Sequence, residues 1–315
     1  MTLSETYAKR KPGRKITGMA AVLLPFNEDG SIASDAFQRC LDEIYRARLT
    51  PAVNMDTGYV NLLTEVEKAQ VLRLTDQVAN GRSFVAGAFI EGKEGPVVDL
   101  YRTEMSKIGE RGGTPILFQT SRTHALPSAE KAKIYQEAAK GYPAVYAFEL
   151  GQMFAPNGEI WDLETFERIL QIPEIQGAKH SSLRRDLELE RLAIRDATRP
   201  DFKIFTGNDL GIDMIEYGSD YLLGLAAFAP AKFGERDRLW EADDPAYLPL
   251  ADALQFLGNI AFRPPVPAYK HSATVFLNLL GKIPTDRTHP RSPRRPDWEG
   301  ELLKACAARL DLMPG

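Results

Sequence analysis

Residues 173–186 read PEIQGAKHSSLRRD: a short apolar segment runs directly into a lysine, Lys179, which two serines follow closely. Similar short apolar segments recur along the chain, most of them about 30 residues apart, with helical patterns between them. Strands that alternate with helices of this kind predict βα units and a parallel sheet, and eight such units predict a closed (β/α)8 TIM barrel. The eight candidate strands begin at Gly18, Pro51, Phe84, Pro115, Ala144, Ile175, Lys203 and Tyr221.

The segments between the strands carry helix start signals. Thr64 and Glu67 fit a capping box, in which each side chain satisfies a free amide of the opening turn. We expect the helix that follows to reach about Ala79. Ser34, Ser128 and Asp162 each precede an amphipathic stripe and are candidate N-caps.

Three regions follow from this pattern: an N-terminal arm over residues 1–17, the barrel over 18–230, and a C-terminal helical region over 231–315. The basic arm lacks the apolar segment of a secretory signal, and we expect it to be loose. An organelle transit peptide is the alternative, against which Glu5 and the missing amphipathic pattern argue. Between Gly281 and Trp298, prolines and arginines predict an irregular connection. A nucleic-acid patch is the alternative interpretation of those arginines, but the interrupting prolines favour a solvated loop.

Composition excludes several classes of protein. Apolar residues make up 44% of the chain and charged residues 26%, as in ordinary globular proteins. The formal net charge of −4 argues against nucleic acid or an anionic membrane as a partner. Cys40 and Cys306 are the two cysteines, which argues against a disulfide framework and favours a cytoplasmic location. The four histidines show no metal-binding spacing.

Lys179 is the strongest candidate for chemistry. Active sites of these barrels form at the carboxyl ends of the strands, and Lys179 closes the sixth. If strand alternation places Ile175, Gly177 and Lys179 on one face, the amine points inward over small neighbours. Only a neutral amine attacks a carbonyl, so the barrel would have to lower its pKa by burial. The alternative is a solvated lysine at a strand end.

The segment GAKHSS resembles the Schiff-base lysine motif of the dihydrodipicolinate synthase and N-acetylneuraminate lyase family. The likeness extends over LLPFNEDGSIASDAF, DTGYVNLLTEVEK, FTGNDLGIDMIEYGSDYLLGLAAFAP and PPVPAYKHSATVFLNLLG. It implies a class I aldolase-type lyase that binds pyruvate or another 2-oxo acid covalently on Lys179. It also implies a homotetramer of two dimers and no separate cofactor.

The resemblance implies that Thr57 and Gly58 bind the substrate carboxylate in the loop after the second strand. Asp56 replaces a threonine that belongs to a proton relay in the family. Its carboxylate would act as a general base or as a counter-ion to Lys179, or it would simply cap its own turn.

On the fifth strand the family has a relay tyrosine. Counting places Ala147 there, between Tyr146 and Phe148, and the sequence leaves Tyr146 either as the relay or as a core aromatic. Glu149 is a second candidate acid or base.

In the loop after the fourth strand, His124 or Thr123 takes the place of a family tyrosine. Histidine could transfer protons there, or form surface hydrogen bonds. Arg122 could pair with a second substrate carboxylate.

The remaining candidates follow the later strands. The resemblance places a substrate-binding hydroxyl at Ser181, and pocket-lining groups at Gly207, Asn208, Asp209 and the backbone of Leu223. Asp209 could cap the helix that follows it.

The reaction stays open between aldol cleavage or condensation and dehydration of a keto-deoxy sugar acid, which share one imine. A barrel that has lost catalysis and only binds a ligand is the rival hypothesis.

Overall fold

The computed structural model describes residues 3–313, and within that range eight parallel strands close into a barrel in sequence order. All eight predicted strands are present, so the predicted TIM barrel is confirmed. The strands are β1 (Gly18–Ala21), β2 (Thr50–Val53), β3 (Val85–Ala88), β4 (Thr114–Phe118), β5 (Val145–Leu150), β6 (Ile175–Ser181), β7 (Lys203–Thr206) and β8 (Asp220–Leu223).

Helices surround the barrel and continue beyond it. The first eight are α1 (Leu3–Tyr7), α2 (Ser34–Arg46), α3 (Glu65–Ala79), α4 (Val97–Gly109), α5 (Ser128–Ala139), α6 (Leu163–Leu170), α7 (Arg185–Thr198) and α8 (Pro230–Glu241). The C-terminal ones are α9 (Tyr247–Ala261), α10 (Tyr269–Leu279) and α11 (Glu299–Arg309). Among the described residues, no helix has the length and apolar character needed to cross a membrane.

Local sequence signals explain several helix starts. Thr64 and Glu67 form the predicted capping box at the start of α3, which ends at Ala79 as expected. Asp162 caps α6 by accepting a hydrogen bond from the Thr165 amide. Ser34 and Ser128 are instead the first residues of α2 and α5, and no side chain caps either helix. These two N-cap predictions were wrong by one position.

The N-terminal arm is packed against the barrel, where we expected a loose segment. Its first two residues lie outside the described range, and α1 begins at Leu3. Arg14 reaches the buried carboxylate of Asp220 at 2.9 Å, and Arg10 reaches Glu216 at 2.5 Å. These ion pairs hold the arm against the loop before β8 and the start of β8.

The strand register fixes which residues share a level of the barrel. Phe148 of β5 pairs with Lys179 of β6, which pairs in turn with Phe205 of β7. One level nearer the amino ends, Tyr146 pairs with Gly177. This register decides which side chains can meet the amine of Lys179.

Candidate active site

Lys179 lies inside the barrel at the carboxyl end of β6. The residue is only 7% exposed, and its Nζ is 4.5 Å from the centroid of the Phe148 ring. Burial lowers the pKa of Lys179 to about 8, against the attraction of Asp209 and Asp56, which acts to raise it. Burial disfavours the charged form because an ammonium loses its hydration in an apolar surrounding. The amine is therefore far closer to neutrality at physiological pH than a free lysine.

The end of β7 packs directly against this lysine. A Cβ added to Gly207 would lie 2.7 Å from Lys179 Cε and would overlap Ser181 Oγ. Glycine at this position therefore leaves the room that the lysine and serine side chains occupy. Ser181 is buried, and its hydroxyl has no hydrogen-bond partner. An unsatisfied buried hydroxyl beside the amine is available to a ligand.

Asp56 lies at the end of β2, where it is held by two residues from α10. Lys270 Nζ is 3.0 Å from the Asp56 carboxylate, and the Tyr269 hydroxyl donates to it at 2.9 Å. The same phenol oxygen is 2.9 Å from Thr57 Oγ1, and it accepts from that hydroxyl because its single proton goes to Asp56. The ammonium of Lys270 thus balances the buried charge of Asp56. It is a second amine within the site.

The predicted anion-binding loop is partly occupied by its own turn. The Gly58 amide donates to Met55 O at 3.0 Å inside a 3-10 turn over Asp56–Gly58. A Cβ on Gly58 would lie 3.2 Å from Val22 O, so a larger residue would press against that carbonyl. Gly58 therefore shapes the loop, while its own amide is already bonded.

Asp209 follows β7, and the sequence left it either in a pocket-lining segment or as a helix cap, without a catalytic role. It is 3% exposed, and its Oδ1 accepts from the Leu225 amide at 2.8 Å. It therefore bridges the loops after β7 and β8, and it does not cap the helical turn that follows. Burial raises the pKa of Asp209 to about 7, although the Leu225 amide and the Lys179 charge act to lower it.

Tyr146 is not placed beside the lysine. It lies one level nearer the amino end of the barrel and packs edge-on against Phe205, with ring centroids 5.2 Å apart. Burial and the nearby charge of Asp220 raise its pKa. The β5 residue level with Lys179 is Phe148, so neither Tyr146 nor Ala147 takes the position that we assigned to the relay. Phe148 brings no hydroxyl to this point.

Glu149 faces the helices instead of the barrel interior. Arg191 donates to it at 2.7 and 3.0 Å, and His180 Nδ1 lies 2.5 Å from Oε1. Ser182 completes the chain at 2.6 Å from His180 Nε2. Although burial acts to raise the pKa of Glu149, His180 and Arg191 hold it below its usual value. This network ties β5 and β6 to α7, and Glu149 cannot supply an acid or base to Lys179.

The candidates in the β4 loop make other contacts. His124 Nε2 is 4.0 Å from Glu159, and the Thr123 hydroxyl donates to Thr120 O at 2.9 Å. Arg122 donates to the carbonyls of Lys93 and Gly95, so its guanidinium is already engaged.

Asn208 and Leu223, two of the later candidates along the chain, shape the pocket by fixing or presenting backbone groups. Asn208 Oδ1 accepts from the Leu210 amide at 3.1 Å, which fixes the turn that carries Asp209. Leu223 shares the outer face of β8 with Tyr221, whose hydroxyl reaches Asp237 on α8 at 2.7 Å. Only the backbone of Leu223 can therefore face the pocket.

The structure thus brings together Lys179, Ser181, Gly207, Asp209, Phe148 and the group formed by Asp56, Thr57, Tyr269 and Lys270. The fold and the site define a (β/α)8 barrel with a desolvated lysine at the end of β6. Among the described residues, no cluster of three or more histidine, cysteine or acidic side chains could hold a metal ion.

No protein-family model and no curated protein sequence matches the chain significantly. Solved structures match over nearly its whole length. A monomeric dihydrodipicolinate synthase variant superposes with a TM-score of 0.81 at 15% identity, covering 98% of this chain and 99% of its own.

Dihydrodipicolinate synthase from Thermotoga maritima gives a TM-score of 0.81 at 16% identity, with 95% and 99% coverage. The chloride-inhibited enzyme from Acinetobacter baumannii, solved with pyruvate, gives 0.78 at 19% identity, with 95% and 100% coverage. The chain therefore has the fold of the dihydrodipicolinate synthase family, as the resemblance predicted.

Proposed function

We propose that this chain is a Schiff-base-forming lyase in which Lys179 condenses with pyruvate or another 2-oxo acid. The observation that carries the proposal is the desolvated amine of Lys179, whose pKa is lowered to about 8 between two carboxylates. A lysine kept partly neutral at the carboxyl end of a barrel strand suits attack on a carbonyl. Such a burial has a stability cost that a purely structural lysine would avoid by facing solvent.

The chemistry that follows is aldol cleavage or condensation. The neutral amine adds to the ketone carbon, water leaves, and the protonated imine withdraws electrons from the neighbouring carbon–carbon bond. That bond breaks to give an enamine and an aldehyde, and the reverse path joins them. The enzyme's own lysine serves as the electron sink, so the proposed reaction needs no bound cofactor.

Pyruvate is proposed on the strength of the fold, because the Acinetobacter baumannii structure was solved with it. In this chain the unpartnered Ser181 hydroxyl is the neutral donor offered to its carboxylate, because the Thr57 hydroxyl already donates to Tyr269. Lys270 adds a positive charge close to the same loop, although Asp56 balances it.

Dehydration of a keto-deoxy sugar acid is the second candidate, and Asp209 favours it. A carboxyl group with a pKa of about 7 is partly protonated at neutral pH. It could donate a proton to a departing hydroxyl from the same imine, whereas a fully ionised carboxylate could not.

A screen of 2-oxo acids with and without aldehydes, read by mass spectrometry of the products, tests the proposal. We expect turnover of at least one pair, with formation of a carbon–carbon bond for the lyase and loss of water for the dehydratase. Lys179→Ala should abolish this turnover. Full turnover by that variant would contradict the proposal. The homotetramer and the cytoplasmic location stay predictions.

A further inference from the structure

The neighbours of Lys179 on the two adjacent strands cannot move a proton. Phe148 of β5 and Phe205 of β7 pair with it in the register, and both are phenyl rings with no exposed surface. Any imine chemistry at this amine needs a group that takes a proton from the substrate and returns it. The acidic side chains whose charges act on Lys179 belong to the loops beyond the strand ends.

Asp209 is the acidic group whose charge acts most strongly on Lys179, and Asp56 acts less strongly. The polypeptide that carries it runs against the lysine, since Gly207 leaves no room for a Cβ beside Lys179 Cε. The Leu225 amide holds Oδ1 of Asp209 at 2.8 Å. The Leu225 amide therefore fixes the carboxyl through Oδ1, and the backbone of Gly224 also acts on it and lowers its pKa.

We propose that Asp209 is the catalytic acid and base of the imine chemistry at Lys179, an assignment that rests on the proposed function. In cleavage, the Asp209 carboxylate takes the proton of the substrate hydroxyl as the carbon–carbon bond breaks. The bonding electrons pass into the protonated imine, which becomes an enamine, and the aldehyde leaves. The resulting carboxylic acid then returns its proton to the enamine carbon. Water hydrolyses the imine and frees the Lys179 amine.

Asp56 is less suited to this task because its oxygens are already bonded. Lys270 lies 3.0 Å from both of them, and Tyr269 donates to one. These bonds occupy the oxygen lone pairs that would otherwise receive a proton from the substrate. The geometry leaves Asp56 as a fixed charge that positions the loop, and its partner Lys270 as the neutralising cation.

The acid–base balance of Asp209 agrees with this role. Burial raises its pKa to about 7, so both the acid and the carboxylate are populated near neutral pH. A proton carrier works best when its pKa is close to the pH at which it operates. At 3% exposure, the group is also shielded from bulk water.

Exchange of the pyruvate methyl protons with D2O, followed by NMR, isolates the proposed step, because it needs the imine and one proton transfer but no second substrate. We expect Asp209→Asn to slow exchange about 100-fold or more, while borohydride still traps pyruvate on Lys179. Asparagine keeps an oxygen for the Leu225 amide. Asp213→Asn, which alters a half-exposed aspartate paired with Arg185, is the matched control and should leave exchange unchanged. Slowing by less than about tenfold in Asp209→Asn would overturn the assignment.

The wild-type protein provides a second test that does not depend on a variant folding. At saturating pyruvate, Lys179 is already converted to the imine. The titration of its amine therefore no longer affects how the exchange rate depends on pH. Exchange should then rise with pH through about 7 and level off, as the Asp209 carboxylate forms. A flat profile from about pH 5.5 to 8.5 would overturn the assignment. If the wild type neither exchanges protons nor traps pyruvate, the proposed function fails first.

Discussion

The amine of Lys179 lies 4.5 Å from the centroid of the Phe148 ring, at the same level of neighbouring strands. A phenyl face excludes water from the amine and so contributes to the burial that lowers its pKa. The same face attracts a positive charge, including that of a protonated imine. This pair of residues therefore makes the lysine reactive and accommodates the cation that its reaction produces.

The pH dependence of imine formation follows from the lysine. Only the neutral amine attacks, so the rate should rise about tenfold per pH unit below 8 and level off above it. The rate of covalent trapping by pyruvate and borohydride between pH 6 and 10, measured with a buffer control, checks this. A rate that keeps rising to about 10.5 would mean that the lysine behaves as a solvated one.

Replacing the lysine should stabilise the fold. Because its folded pKa is about 8 and its ordinary value 10.5, Lys179 lowers the free energy of unfolding by about 3 kcal/mol below pH 8. The folded state binds fewer protons than the unfolded state between those values, so this cost fades as the pH rises from 8 to 10.5. Urea unfolding of Lys179→Met and wild type should show a stability gap that narrows over that range. A gap independent of pH would contradict the burial of the charge.

The effects of replacing Asp56 and Lys270 on the free energy of unfolding should be strongly coupled. Lys270→Met leaves a buried carboxylate without its cation and should cost about 3–5 kcal/mol of unfolding free energy. Adding Asp56→Asn should recover most of that loss. The exposed pair Arg287–Glu28 is the control, and its disruption by Arg287→Met should cost less than about 1 kcal/mol. Additive losses in the double variant would contradict the pairing.

Gly207 is predicted to keep space for the reactive lysine. In Gly207→Ala the new Cβ overlaps Ser181 Oγ and crowds Lys179 Cε, so the lysine must shift. We expect about a tenfold or larger loss in the rate of pyruvate trapping and an unfolding cost of about 1–3 kcal/mol. Gly109→Ala, where an added Cβ meets no neighbour in helix α4, should leave trapping unchanged and should not destabilise the fold. Unaltered trapping in Gly207→Ala would show that the lysine does not need this space.

The barrel could be predicted from the sequence because each strand is a local signal. The segments at Ile175 and Lys203 are short, apolar and bounded by helices, and they became β6 and β7. Lys179 could be predicted because strand alternation and strand ends are properties of consecutive residues. The register of β5 could not be predicted in this way. A shift of one residue exchanges the two faces of a strand, and the pattern around Tyr146 fits an inward as well as an outward side chain.

Local sequence patterns could not predict the partners of Asp56 and Asp209, for another reason. Lys270 is 214 positions from Asp56, and the Leu225 amide belongs to a different loop from Asp209. Such pairings depend on how α10 and the loops pack on the barrel, which no periodicity encodes. The segment PAYKHS carries part of the family resemblance, but nothing in it indicates that Tyr269 and Lys270 reach the loop after β2.

The most direct test of the whole account is to locate a covalent adduct. The protein is incubated with pyruvate and borohydride, digested, and its lysine-containing peptides are mapped by mass spectrometry. We predict a reduced pyruvate adduct on Lys179 and none on Lys270, which is the neighbouring buried amine and acts as an internal control. An unmodified Lys179 after full exposure to both reagents, or an adduct on Lys270 instead, would contradict the account.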